Sequence, residues 1–149
     1  MFGALRRGVA PLMSCRQLTT VSSLAETAES LLLQTEAEGG EVGLVLDLTL
    51  GSGSDSAHLL ETTPATVLGV DVDPRTDSTM ARLTEEFQHR FRGCQTAWSE
   101  LPARIASQVP GDTLDQCDLI MLDLGPSTAQ LEEGRGFAGS SDQGLLDMR

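Results

Sequence analysis

Apolar residues fall in two rhythms along this chain. Short, dense runs at 42–48, 65–70 and 117–124 have the length of buried strands. Between them, apolar positions recur every three or four residues, the spacing of helices with one buried face. Ser23 with Glu26 three residues on forms a capping-box pattern. It predicts a helix in which Leu24, Ala28, Leu31 and Leu32 share a face, ending near Gly39-Gly40. Residues 50–56 read as a glycine-serine loop, with Ser54 or Asp55 capping a short helix to Leu60 that Pro64 stops. Met80, Leu83, Phe87 and Phe91 predict a longer helix with Gly93 as its stop. A weak strand is expected at 94–97, and Pro102 suits the first turn of a helix reaching Val109. Beyond Gly125 no regular pattern is legible, and no internal repeat or low-complexity tract occurs.

Buried strands alternating with amphipathic helices predict a Rossmann-like α/β fold: a parallel sheet with helices on both faces. Ligands of such sheets sit at the carboxyl ends of the strands, near the switch point. A length of 149 residues suits one domain. No apolar run approaches the ~20 residues needed to span a bilayer, so no membrane partner is expected.

Charge divides the chain. There are 22 acids against 10 basic residues, all arginine, for a net charge of -12. Yet residues 1–25 hold Arg6, Arg7 and Arg16 and no acid. With Ser14, Thr19 and Thr20, and with Phe2, Leu5 and Val9 opposite the arginines, this start resembles a mitochondrial transit peptide. A secretory signal fits worse, because the apolar stretch at 8–13 is short and carries Pro11. A disordered tail is the remaining alternative. Residues 1–20 are therefore set apart as a targeting segment, residues 21–149 form the folded unit, and the expected location is the mitochondrial matrix. Cys15, Cys94 and Cys117 make no C-x-x-C pair, which gives neither a disulfide framework nor a zinc pattern. Cys94 and Cys117 read as core residues, and His58 and His89 as helix-surface residues.

Three segments at predicted strand ends carry candidate chemistry. In the first, residues 47–56, Gly51 and Gly53 permit a tight turn and a close backbone approach to a ligand. An ordinary strand-to-helix turn would look the same. A nicotinamide fingerprint needs glycine at 56, where Ser56 stands. The second is Asp71, 20 residues after Gly51, placed to accept hydrogen bonds from a ribose or to cap the strand. Asp73, before Pro74, reads as a turn cap. The third is Asp123, an acid ending a buried run, which must be either capped or facing a polar site.

Six pieces then occur in order: Asp-Leu-Thr-Leu-Gly-Ser-Gly (47–53), Val-Asp-Val-Asp-Pro (70–74), Leu-Asp-Leu-Gly (122–125), Gln130-Leu131, Arg135-Gly136-Phe137 and Leu146-Asp147-Met148-Arg149. Together they resemble the RsmH/MraW family of S-adenosylmethionine-dependent methyltransferases, which act on the exocyclic N4 amine of a small-subunit ribosomal RNA cytidine. The transit-like start resembles the mitochondrial branch.

The resemblance implies the cofactor-binding, N-terminal part of a class I methyltransferase fold, truncated after about the fourth strand. It implies that Gly53, Ser54 and Asp55 line the methionine part of S-adenosyl-L-methionine, with Gly51 a further cofactor-binding residue. Asp71 would hold the ribose and Trp98 would lie beside the adenine. Asp123 and Gln130 would complete the cofactor contacts, with Asp123 also meeting the target amine as the catalytic residue. Arg135 and Arg149 would meet RNA phosphate or hold their loop. Without the resemblance, Trp98 reads as a core anchor.

The implied partners are small-subunit ribosomal RNA, reached through regions beyond this chain, and the assembling mitochondrial ribosomal subunit. Two departures stand out: Gly53-Ser54-Asp55 replaces the family's Gly-Gly-His, and the chain stops at Arg149. Both keep open a second class of function, a non-catalytic remnant serving ribosome assembly or interaction. The early stop also predicts an exposed apolar sheet edge and marginal stability.

Overall fold

The computed structural model describes residues 23–108, 117–125 and 131. The transit-like start, Gln130, Arg135 and Arg149 lie outside the described residues. Ser23 and Glu26 form the expected reciprocal cap. The Ser23 Oγ accepts the Glu26 amide at 3.1 Å, and the Glu26 carboxylate accepts the Ser23 amide at 3.0 Å. Amide donors that a helix start leaves without backbone partners are thereby satisfied. Helix α1 (Leu24–Ala37) follows and ends just before Gly39, whose φ is +80°. Its buried face is Ala25, Ala28 and Leu32, while Leu24 and Leu31 are exposed. The face is turned from the expected one as α1 packs on the next helix, to which a contact between Glu29 and His58 also ties it.

Strand β1 (Leu44–Asp47), α2 (Ser54–Thr62), β2 (Thr66–Asp71), α3 (Asp77–Phe87), β3 (Phe91–Gln95), α4 (Leu101–Gln108) and β4 (Cys117–Met121) complete the order. All pairings are parallel, in the order β3-β2-β1-β4. The chain builds outward from β1 to β3, then returns to lay β4 on the other side of β1. The switch of direction therefore falls between β1 and β4. Residues from α1, α2 and α3 pack with Val45, Val67, Phe91 and Met121 on one face. Leu101 and Ile105 of α4 pack with Leu46, Leu68, Val70 and Cys94 on the other. The expected Rossmann-like α/β fold is present. Among the described residues no helix is long and apolar enough to cross a membrane.

Several expected boundaries move, among them that of the strand expected at 94–97, which is found as β3 at Phe91–Gln95. The periodicity through Phe91 overran the helix: α3 stops at Phe87, Gln88 turns the chain at φ +52°, and Phe91 opens β3. Phe91 keeps the helical phase because it is buried in the same core as Met80 and Leu83. Gly93 is not a helix stop. It pairs with Gly69 inside the sheet, where a Cβ would come within 2.7 Å of Met80. The last strand is also shorter and less buried than its apolar run implied. Asp118 and Ile120 are exposed, because β4 is an edge strand among the described residues. Asp118 instead accepts the amides of Gly43 and Leu44 at 2.9 and 3.1 Å, where the β1–β4 register shifts.

Candidate functional site

A parallel sheet sends all its strand ends to one edge, and here each end carries a polar feature. At the end of β1, Asp47 is 4% exposed. A carboxylate so placed needs partners. The Ser56 hydroxyl donates to Oδ2 at 2.7 Å and the Thr49 amide donates to Oδ1 at 3.1 Å. Burial pushes the Asp47 carboxyl above its ordinary range; the Ser56 and Thr49 bonds oppose that, and the charges of Asp55 and Asp71 reinforce it. Sequence reasoning gave Asp47 no role, although an acid closing a buried apolar run was a usable signal.

The loop after β1 is fastened on both sides. The Leu48 amide donates to Met121 O and the Leu50 amide to Val70 O, each at 3.0 Å. Gly51 turns at φ +49° and gives its amide to Asp71 Oδ2 at 2.8 Å. Gly53, at φ +73°, is the N-cap of α2 and makes no side-chain capping bond. A Cβ there would lie 2.7 Å from Thr79 Cγ2 and 2.8 Å from Leu83 Cδ1. Ser54 and Asp55 are therefore first-turn residues rather than caps, and the helix continues past Leu60 to Thr62. The Ser54 hydroxyl lies 3.2 Å from that of Ser52.

At the end of β2, Asp71 is fixed from two sides. Its Oδ2 accepts Gly51 and its Oδ1 accepts the Asp73 amide at 2.9 Å. Each oxygen keeps a further lone pair for a ligand. Asp73 is the turn cap expected, accepting the Arg75 amide at 3.0 Å and the Arg75 guanidinium at 2.8 Å. Past β3, Trp98 is 47% exposed and its indole Nε1 donates to Leu48 O at 2.7 Å. It is not a core anchor. The tethered indole carries an aromatic surface from the β3 side to the end of β1. Past β4, the Asp123 amide donates to Thr49 Oγ1 at 2.9 Å, with Asp123 itself exposed.

Gly51, Gly53, Asp71, Trp98 and Asp123 thus belong to one strand-end edge, with Ser54 and Asp55 opening α2 beside it. Gln130 lies outside the described residues. His58 sits on α2, with Nε2 2.7 Å from Glu29. That contact spans two helices and was invisible to local spacing. Cys94 is buried and Cys117 half-buried, and desolvation pushes both thiols up. Among the described residues no His, Cys, Asp and Glu cluster could hold a metal ion.

Sheet order, glycine loop and strand-end acid define a Rossmann-like α/β protein with a candidate site at its switch point. The profile of the MraW methylase family matches residues 19–149, and the chain belongs to that family. Similar curated proteins are named ribosomal RNA small subunit methyltransferase H. The one from Kocuria rhizophila is 37% identical over 111 residues, covering 73% of this chain and 32% of its own. The one from Methylorubrum extorquens is 38% identical over 109 residues, covering 72% and 30%. That from Beutenbergia cavernae is 36% identical over 128 residues, covering 85% and 36%. The chain thus spans about a third of the length of these relatives. A solved structure of an rRNA methylase from Streptococcus thermophilus is 21% identical, with a TM-score of 0.42 over 57% of this chain and 49% of that one. The fold assignment rests on the sheet order, not on that loose likeness.

Proposed function

We propose that the chain is the S-adenosylmethionine-binding part of a methyltransferase acting on the exocyclic N4 amine of a cytidine in mitochondrial small-subunit ribosomal RNA. The observation that carries this reading is Asp71. Its carboxylate is held by Gly51 and Asp73 at the strand end, with acceptor capacity left for two ribose hydroxyls. Trp98 offers a ring for the adenine, and Gly51, Gly53, Ser54 and Asp55 border the methionine part. Bound there, the cofactor supplies an electrophilic methyl group on a sulfonium. The chain's residues have to align that methyl with the attacking nitrogen and exclude water. Asp123 accepts an N–H of the target amine, and so orients it and relieves charge during attack. Gln130, outside the described residues, is assigned a cofactor contact on the family resemblance alone. A duplex would hide the cytidine, so the target must be single-stranded or flipped out.

Family membership supports rRNA as the substrate class. A net charge of -12 supports assigning phosphate contacts to the further length of the relatives and to the assembling ribosomal subunit. The acid-free, arginine-bearing first 25 residues support import into the mitochondrial matrix.

Calorimetric titration of the chain with S-adenosylmethionine tests the reading. Saturable binding that Asp71→Ala abolishes is expected. One feature favours the other reading, a non-catalytic remnant in ribosome assembly. Asp55 opens α2 near enough to Asp47 to help raise its pKa, so an acidic side chain borders the place where the cofactor carboxylate would lie. A folded sample that binds no cofactor would overturn the first reading and favour that one instead.

A further inference from the structure

Thr49 lies between the two halves of the site. The pairing register Asp47↔Met121, carried two residues further, sets Thr49 beside Asp123. The Leu48 amide extends the ladder to Met121 O, and the Asp123 amide then reaches Thr49 Oγ1 at 2.9 Å. On its other side, the Thr49 amide holds Asp47 Oδ1, whose second oxygen accepts Ser56 of α2. One continuous chain therefore runs Ser56, Asp47, Thr49, Asp123. It joins the helix after the glycine loop to the end of β4, across the switch point.

We propose that Thr49 is a positioning residue that couples the glycine loop to Asp123, so that the loop's arrangement sets where the β4 end stands. The proposal rests on the reading above only for the assignment of the loop to the cofactor. A β-branched side chain restricts χ1 and holds the hydroxyl toward Asp123. Valine would keep the branch and lose the acceptor; serine would keep the acceptor.

The test is amide hydrogen exchange in the full chain, without ligand, with the buried Val67 amide as control. Thr49→Val is expected to speed Asp123 exchange about three- to tenfold, the loss of one hydrogen bond, and Thr49→Ser to restore it. Ser56→Ala, remote from Asp123, is expected to speed the same amide, and to add nothing in the Thr49→Val background. Unchanged Asp123 exchange in Ser56→Ala, or independent additive effects in the double variant, would overturn the coupling. Should Ser56→Ala speed Val67 equally, it has loosened the whole fold. The decision then passes to S-adenosylmethionine addition: protection of both Gly51 and Asp123 in the parent, but of Gly51 alone in Thr49→Val, supports the coupling, and equal Asp123 protection in both overturns it. A ligand that protects neither amide in the parent counts against the cofactor assignment, whereas the Thr49 and Ser56 comparisons bear on the coupling alone.

Discussion

Asp47 is the residue on which the site's electrostatics turn. Its folded pKa is raised, first by burial, so the protonated form is the one the fold favours. The stabilisation from protonating Asp47 is fully present below its ordinary pKa and is lost as pH rises through the raised folded value. Above the ordinary pKa the fold must either hold a buried charge or take up a proton, and either one weakens it. Asparagine can turn its carbonyl to the Thr49 amide and its NH2 to the Ser56 hydroxyl, which also accepts. Asp47→Asn should therefore raise the melting temperature at pH 7, with the gain shrinking as pH falls toward 4. A melting-temperature series across that range checks the sign. Gly53 makes the opposite case. An alanine there would combine a left-handed φ of +73° with overlap against Thr79 and Leu83. Gly53→Ala should cost about 1–3 kcal/mol, read from the denaturant midpoint, and, on the proposed reading of the loop, should weaken S-adenosylmethionine binding because the loop must shift. Asp71 was legible in the sequence since it closes an apolar run at a fixed distance from Gly51. The Thr49–Asp123 bond was not, because it joins residues 74 positions apart through a sheet register that no local pattern encodes.

Elements here are fastened at their ends as much as along their faces. Arg90, in the turn before β3, donates to Leu60 O at 2.6 Å and Thr63 O at 3.0 Å, closing the end of α2. Its guanidinium also stands 6.0 Å over the Phe87 ring. No basic residue of α2 itself serves its last turn. Arg90→Ala should cost about 1–3 kcal/mol by leaving helix-end carbonyls without these donors. Arg90→Lys should recover only part of that, since one ammonium cannot span both carbonyls as the planar fork does. Chemical denaturation of the three proteins checks the ranking. At this scale the sequence was legible wherever a local rule decided: the Ser23–Glu26 box, the glycine stop after α1, Pro102 at the start of α4. It was misleading at Phe91, where a strand residue happens to continue the helical phase because both elements face one core. It also misled along α1, where packing on α2, rather than the positions of the largest side chains, chose the buried face.

At the scale of the molecule, the switch that creates the site also leaves an edge. β4 pairs with β1 alone among the described residues, Ile120 within it is 58% exposed, and Leu124, three residues past its end, is 71% exposed. The alternation of sheet faces explains Ile120. Its neighbours Leu119 and Met121 pack toward the α1–α3 core, which turns Ile120 to the face where α4 covers β1 to β3. An apolar, unpaired edge favours strand-to-strand association. A net charge of -12 opposes it, because two copies repel. The balance between these terms should be set by salt: at ionic strengths above physiological, the screening length falls below about 8 Å and the edge attraction prevails. Sedimentation velocity of the chain should therefore show self-association that grows with protein concentration and with added salt. Ile120→Lys should suppress it at every salt concentration, since a charge now stands on the edge itself. Wild-type protein that stays monomeric at high salt would instead show that other parts of the chain already cover this edge.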